Sequence, residues 1–257
     1  KGKRIVTIHG KYGTYLQGNF LIDFLRKIFI KQQSKIWEKA NKVIVISESI
    51  RDWLEKLNSS IKPTVIPYGV EIQEVSQKNK LANPTLGYLG KLNKNKGIED
   101  LIDVHTKFQE KENSSNFELT LLIGGTGSEN YIKSLKNKIK DNNVKFLGYV
   151  EDRYSFFESI EIFVFPSYSE GLGLVLLEAM AHGVICITRD VTPMNSIVDN
   201  EENGFLFKDN KELLEKIEMV LNLNSTEKNK LVESAIKKIE KSYSIMQMYL
   251  STEKAYN

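Results

Sequence analysis

Two carboxylates bracket the segment of this chain best suited to chemistry. In Phe165-Pro166-Ser167-Tyr168-Ser169-Glu170-Gly171-Leu172-Gly173-Leu174-Val175-Leu176-Leu177-Glu178-Ala179-Met180-Ala181, seven residues separate Glu170 from Glu178. The pattern reads as a strand ending at Pro166, a polar loop with two glycines, and an apolar helix starting near Gly173. At such a start the amides of Gly171, Leu172 and Gly173 have no acceptor within the helix, and the helix dipole adds positive potential, so the loop suits a phosphate. Leu174, Val175, Leu176, Leu177, Ala179, Met180 and Ala181 surround Glu178, so its helix has almost no polar face and the carboxylate is expected to be enclosed by protein. An ionised carboxylate in that setting destabilises the fold unless partners satisfy it. Paired hydroxyls of a ligand would do so; a nearby lysine or backbone N–H would do so equally well.

Two further glycine loops follow candidate strands. Gly87-Tyr88-Leu89-Gly90-Lys91-Leu92-Asn93-Lys94-Asn95-Lys96-Gly97 ends a strand and opens a helix at Ile98-Glu99-Asp100-Leu101. Gly90 and Gly97 permit close backbone approach, and Lys91 and Lys96 bring cations to the C-terminal edge of a sheet, where ligands bind in open α/β folds. Two ammonium groups beside a diphosphate would offset its charge as a leaving group forms; a solvated Lys/Asn turn is the plainer reading of the same residues. Leu122-Ile123-Gly124-Gly125-Thr126-Gly127-Ser128 is not the dinucleotide fingerprint, because its third glycine is missing. His9, in Ile8-His9-Gly10, closes the first candidate strand, and could either hydrogen-bond a ligand or be structural. His105 and His182 fall within or at the end of helices, so no metal-ligand spacing emerges among His, Cys and acidic residues. Neither a nucleophile elbow nor a Cys/His pair stands out.

Holding three such loops at one edge requires parallel strands joined by helices. Short β-branched runs at 4–9, 42–47, 64–67, 85–89, 118–123, 144–147, 162–165 and 184–188 alternate with segments of helical period. That is the pattern of an α/β chain with right-handed crossovers, and the largely apolar runs suit sheets covered on both faces. A polar, aperiodic stretch over 71–80, followed by Pro84, breaks the chain. Three strands precede the break and at least five follow, so the second part reads as a complete doubly wound unit and the first as half of one. The uncovered edge of a three-stranded remnant favours truncation at the N-terminus. Residues 19–40 form a candidate amphipathic helix, with Phe20, Phe24, Ile28 and Trp37 against Arg26, Lys27, Lys31, Lys35 and Lys39. A crossover helix whose apolar side covers the sheet is the preferred reading, and a helix lying on an anionic membrane is the other.

Composition narrows the classes further. With 257 residues, 36 Lys+Arg against 33 Asp+Glu and 41% hydrophobic residues, disorder, collagen-like repeats and a disulfide scaffold are excluded. Cys186 is the single cysteine, so no internal disulfide forms and a reducing compartment is expected. No apolar run is long enough to span a bilayer, and no signal-peptide pattern is present. Charge is uneven: residues 1–62 hold 13 basic and 5 acidic side chains, and the remainder 23 and 28. The basic front part suits an anionic neighbour such as a lipid surface, whereas the rest argues against nucleic acid.

Together these residues resemble the retaining glycosyltransferases of family four, which have the GT-B fold, over nearly the whole chain. Glu170 and Glu178 match that family's paired-glutamate motif, including the Gly-Leu-Gly between them and the Ala-Met-Ala that follows. Gly90-Lys91-Leu92 to Lys96-Gly97 resembles its Gly-Arg-Leu…Lys-Gly motif, with Lys91 in place of the usual Arg, which keeps the charge but loses the bidentate fork. Residues 43–49, 65–70 and 144–150 resemble supporting stretches in the same order. Ser196 stands where the family usually has Glu before Ile-Val.

The resemblance implies two Rossmann-like domains facing across a cleft: a remnant acceptor-side domain at 1–80, a nucleotide-sugar-binding domain at 81–240, and a closing helix at 241–257 that crosses back. It implies Lys91 and Lys96 on the diphosphate, Glu178 on the ribose hydroxyls, and Glu170 with Gly171, Leu172 and Gly173 on the donor sugar and distal phosphate. Gly90 belongs to the same donor site; Gly124, Gly125 and Gly127, with Tyr149 and Val150, would border base and ribose, and His9 would reach the donor sugar. The implied reaction is sugar transfer from a UDP-, GDP- or ADP-sugar to a glycan or lipid-linked acceptor, with retained anomeric configuration, no metal and no other cofactor. Cell-envelope polysaccharide synthesis, a cytoplasmic location at the inner face of the membrane, peripheral membrane contact through the basic front part, and impaired activity of the shortened chain are the accompanying expectations. The alternatives are a catalytically silent GT-B subunit that binds nucleotide sugar or a partner enzyme, and a GT-B epimerase or phosphorylase.

Overall fold

Every strand pairing in the computed structural model, which describes residues 3–11, 20–73, 83–112, 118–140 and 142–256, is parallel. Parallel strands need long crossovers, and helices supply them. The chain divides into two units: unit 1 comprises Lys1–Gly69, Glu170–Leu172 and Ile245–Asn257, and unit 2 comprises Val70–Ser169 and Gly173–Ser244. Part of the polar break expected at 71–80, residues 74–80, lies outside the described residues.

In unit 1, β1 (Ile5–Ile8), α1 (Phe20–Trp37), β2 (Lys42–Val45), α2 (Glu48–Leu57) and β3 (Thr64–Val65) form a three-stranded sheet of order β1-β2-β3 with its crossovers. Ser47 starts α2 as an extended N-cap whose Oγ accepts from the Ile50 amide at 3.4 Å. Ile50 and Leu54, one turn apart, are fully buried, each contributing roughly 1.5–3 kcal/mol to the packing. For α1 the sequence reading needs correction. Its apolar side does not cover the sheet: Phe24, Leu25, Ile28, Phe29 and Ile36 are exposed, and among its described side chains Ile30 and Ser34 are buried.

In unit 2 the order of elements is β4 (Thr85–Leu89), α3 (Ile98–Glu112), β5 (Thr120–Gly124), α4 (Glu129–Lys136), β6 (Val144–Gly148), α5 (Arg153–Ser159), β7 (Ile162–Phe165), α6 (Leu174–Ala181), β8 (Ile185–Arg189), α7 (Met194–Ile197), β9 (Phe205–Phe207), α8 (Asn210–Asn222) and α9 (Ser225–Ser242). The six strands lie in the order β6-β5-β4-β7-β8-β9. Winding therefore reverses between β4 and β7, and the C-terminal ends of those neighbours make the crevice where doubly wound sheets bind ligands. β4, β7 and β8 are buried throughout, as strands covered on both faces must be. Cys186, the second residue of β8, is fully buried, with its thiol donating to the Val184 carbonyl at 3.3 Å. The chain ends in unit 1 as α10 (Ile245–Tyr256), whose Ala255 joins Ile44 and Ile66 in a small core. Among the described residues no helix is long and apolar enough to cross a membrane.

Candidate functional site

The 14 residues singled out above divide between the units, with His9, Glu170, Gly171 and Leu172 in unit 1 and the other ten in unit 2. In unit 2 the strand register brings the glycine loops to one edge. Leu89 lies opposite Gly124, and a bulge after Ile123 sets Gly124 opposite Gly148. The loops then continue the ladder past the strands: the Gly90 amide donates to the Gly124 carbonyl at 3.0 Å, Gly125 to Gly148 at 2.6 Å, and Leu92 to Thr126 at 2.7 Å. A methyl group on Gly125 would stand 1.7 Å from the Gly90 carbonyl oxygen, and φ at Gly125 is +133°, so only glycine serves there. A Cβ at Gly127 would stand 2.2 Å from the Leu92 carbonyl oxygen, and one at Gly124 would meet the Leu89 and Val150 side chains at 2.8 Å.

The two lysines sit on the loop that leaves β4. Lys91 is exposed and Lys96 is half-buried. The buried Tyr88 fixes the Lys91 backbone by donating its hydroxyl to that carbonyl at 3.1 Å. Lys94–Lys96 forms a single 3-10 turn capped by the Asn93 side chain and closed by Gly97 in the left-handed region. A Cβ at Gly97 would come within 2.2 Å of the Pro166 carbonyl, and the Tyr168 amide donates to the Asn95 carbonyl at 2.9 Å. The Lys96 turn and the loop leaving β7 are thus seated on one another across the switch point.

Arg189 fastens this junction, and sequence reading missed it. Only 6% exposed at the end of β8, its guanidinium donates to the Pro166 carbonyl at 3.0 Å, the Lys208 carbonyl at 3.1 Å and Asp100 Oδ2 at 2.6 Å, while stacking over Tyr168. The Tyr168 hydroxyl donates to the same Asp100 oxygen at 2.5 Å, and that bond raises the phenol's pKa above its ordinary value. A charged residue closing an apolar strand was the available signal; its partners, far away in sequence, were not visible.

Glu178 corrects the expectation of full enclosure. It is half-buried on α6, and its partner is Arg153, the first residue of α5, whose Nη1 donates to Oε1 at 2.7 Å and Oε2 at 2.9 Å. Asp152 caps α5 just ahead of that arginine, and its bonds from the Ser155 hydroxyl and amide hold its carboxyl below the usual carboxylate range. Tyr149, after β6, is 75% exposed at the rim. Gly173, in the left-handed region, starts α6, and the amides of Gly171, Leu172 and Gly173 donate to no acceptor among the described residues. Ser196 is exposed on α7.

Within unit 1, His9 follows β1 and is exposed; its Nδ1 shares a hydrogen bond with the Tyr68 hydroxyl, and the rings stack. Gly171 accepts from Ser47 Oγ at 2.7 Å, and a Cβ there would meet the His9 carbonyl at 3.0 Å. Glu170 is half-buried. No group of three or more His, Cys, Asp or Glu side chains able to hold a metal ion occurs among the described residues. A cavity of about 580 Å³ bordered by Phe205, Met219 and Leu231 opens elsewhere, at the start of β9, rimmed by surface Glu and Lys side chains.

Comparison with known proteins agrees with this architecture. The chain is 31% identical over 238 residues to the capsular polysaccharide biosynthesis glycosyltransferase CapM of Staphylococcus aureus, covering 85% of this chain and 62% of CapM. It is 27% identical over 195 residues to the O-antigen biosynthesis glycosyltransferase WclY of Escherichia coli, covering 71% and 52%. The chain thus spans roughly half to two thirds of these relatives' length. A TarM variant from S. aureus, solved with Fondaparinux, alpha-GlcNAc-glycerol and UDP, superposes over 99% of this chain and 51% of its own, with a TM-score of 0.81 and 21% identity. HepE from Anabaena, solved with UDP and glucose, covers 97% and 70%, with a TM-score of 0.79 and 17% identity. These likenesses establish the fold as GT-B. Residues 71–238 match the model of the family "Glycosyl transferases group 1", and the chain belongs to that family.

Proposed function

We propose that the protein is a glycosyltransferase that moves a hexosyl group from a nucleotide-diphosphate sugar to a glycan or lipid-linked acceptor in cell-envelope polysaccharide synthesis, with the anomeric configuration retained. The observation that carries this reading is the interlocked rim of unit 2, where the Gly90, Gly124–Gly127 and Gly148 loops bond to one another and the Lys96 turn seats on the loop leaving β7, at the edge of a doubly wound sheet. The names of CapM and WclY support envelope glycans as the setting, and the UDP in the TarM and HepE crystals supports a nucleotide-linked donor.

In this reading Lys91 and Lys96 offset the diphosphate charge, Glu178 receives the ribose hydroxyls, and Gly124, Gly125, Gly127, Tyr149 and Val150 border base and ribose. Gly90 lets the backbone approach the donor. Glu170 and the amides of residues 171–173 serve the sugar and distal phosphate, and His9 serves the sugar. The acceptor oxygen bonds to the anomeric carbon on the face from which the phosphate leaves, through an oxocarbenium-like state. The departing phosphate oxygen takes the acceptor's proton. Cationic side chains and open amides stabilise that oxygen more as its charge grows, which is what lowers the barrier. The setting is cytoplasmic, at the inner face of the membrane. The exposed apolar residues and the basic residues of α1 support peripheral contact with anionic lipid.

A thermal-shift panel of UDP-, GDP- and ADP-sugars tests the donor site, because a ligand of the folded state raises Tm. Transfer assays of Lys96→Ala and Glu170→Ala test the chemistry, with at least about 100-fold loss expected of each. Full transfer by both variants would refute the site assignment, and donor binding without transfer by the unaltered protein would favour the silent subunit.

A further inference from the structure

Arg153 offers the carboxylate of Glu178 a single nitrogen. Nη1 reaches both oxygens, at 2.7 and 2.9 Å, while Nε and Nη2 have no partner among the described residues. A guanidinium that merely neutralised an acid would favour the two-nitrogen fork, the stronger arrangement. The bifurcated contact occupies one direction at each oxygen, and a carboxylate has about four lone-pair sites, so capacity remains on both oxygens for further donors. Neither residue is enclosed: the Arg153 side chain is 54% exposed and that of Glu178 is 24% exposed. Their backbones are fixed, however. Arg153 begins α5 directly after the Asp152 cap, and Glu178 lies in the middle of α6, whose other residues are all apolar. Below them, His182 packs edge-on against Tyr154 and tilted on Phe157, pinning α5 to α6.

We infer that Arg153 is a positioning residue for nucleotide binding: it aims the Glu178 carboxylate so that its unused lone pairs accept a ligand's vicinal hydroxyls. The inference rests on the donor-site reading above and adds the residue that sets up its diol contact. Without Arg153 the carboxylate, on an apolar helix, has other rotamers open to it and loses its fixed aim. The diol then becomes a weaker partner, while the diphosphate and base contacts stay as they were.

Calorimetry tests this with whichever of UDP, GDP and ADP binds most tightly and with its 2′-deoxy and 3′-deoxy analogues, against the unaltered chain, Arg153→Met, Arg153→Lys and Glu178→Gln. Each ratio of deoxy to parent affinity is internal to one variant, so a general loss of stability cancels. The unaltered chain should bind at least one deoxy analogue about tenfold or more weakly, the value of a hydrogen bond to a charged group. In Arg153→Met that penalty should fall to about threefold or less, with Arg153→Lys intermediate because it keeps the charge without the planar group. A penalty that vanishes in Glu178→Gln yet stays at full size in Arg153→Met overturns the inference and leaves the donor site standing. Tighter binding of the parent nucleotide by Arg153→Met would show that the arginine competes for the carboxylate, and overturns it too. No penalty in the unaltered chain, or no binding by any of the three nucleotides, overturns the donor-site reading and the inference with it.

Discussion

A single methyl group is a severe probe of the rim, because backbone meets backbone there. Gly125→Ala would put a carbon 1.7 Å from the Gly90 carbonyl in a conformation that L residues rarely adopt, at a cost of roughly 1–3 kcal/mol in strain before any repacking. Nucleotide affinity should fall at least about tenfold, whereas Gly10→Ala, which meets nothing within 4 Å, should be silent; calorimetry of the pair checks both. Arg189→Met should remove about 3 kcal/mol of stability in urea unfolding, since it takes the cationic partner from Asp100 at 20% exposure, leaving it only the Tyr168 hydroxyl among the bonds described, and leaves two carbonyls without their donor. Arg189→Lys should recover little, because one ammonium cannot serve three acceptors held in a plane. At this scale the sequence was legible in part. Glycine doublets and lysines after apolar runs advertise themselves, but the ion pairs that hold them join residues such as Asp100 and Arg189, or Arg153 and Glu178, that local pattern does not connect.

Among the elements, legibility tracked length and burial. Runs such as Thr85–Leu89 and Ile162–Phe165 lie where short, largely apolar runs announced them, because a strand buried on both faces tolerates few polar interruptions. Phe205–Phe207 escaped notice because three residues carry no period of their own, and the strand exists only by pairing with β8. The first crossover was misjudged for the opposite reason. A helical period reveals that a helix is amphipathic without revealing what lies on its apolar side, and α1 leaves Phe24, Leu25, Ile28, Phe29 and Ile36 exposed. If α1 contacts lipid, the chain should sediment with phosphatidylglycerol vesicles and not with phosphatidylcholine alone. Leu25→Ser with Phe29→Ser should abolish that, while circular dichroism stays unchanged. Equal sedimentation by the double variant would remove α1 from the membrane account.

For the whole molecule, the division into two units means that a ligand of one need not act evenly on the other. If unit 2 holds the proposed nucleotide, a concentration 100 times its Kd should stabilise the unit by about 2.7 kcal/mol, and hydrogen exchange should then slow most in β4, β5 and α6. Cys186 gives the same question a chemical reading. Its sulfur is shut inside β8, so a maleimide can react only in those moments when the second sheet comes apart. A chain with one thiol, so placed, carries its own clock for those openings, and the rate of alkylation, with and without UDP, would time them without any label being engineered in.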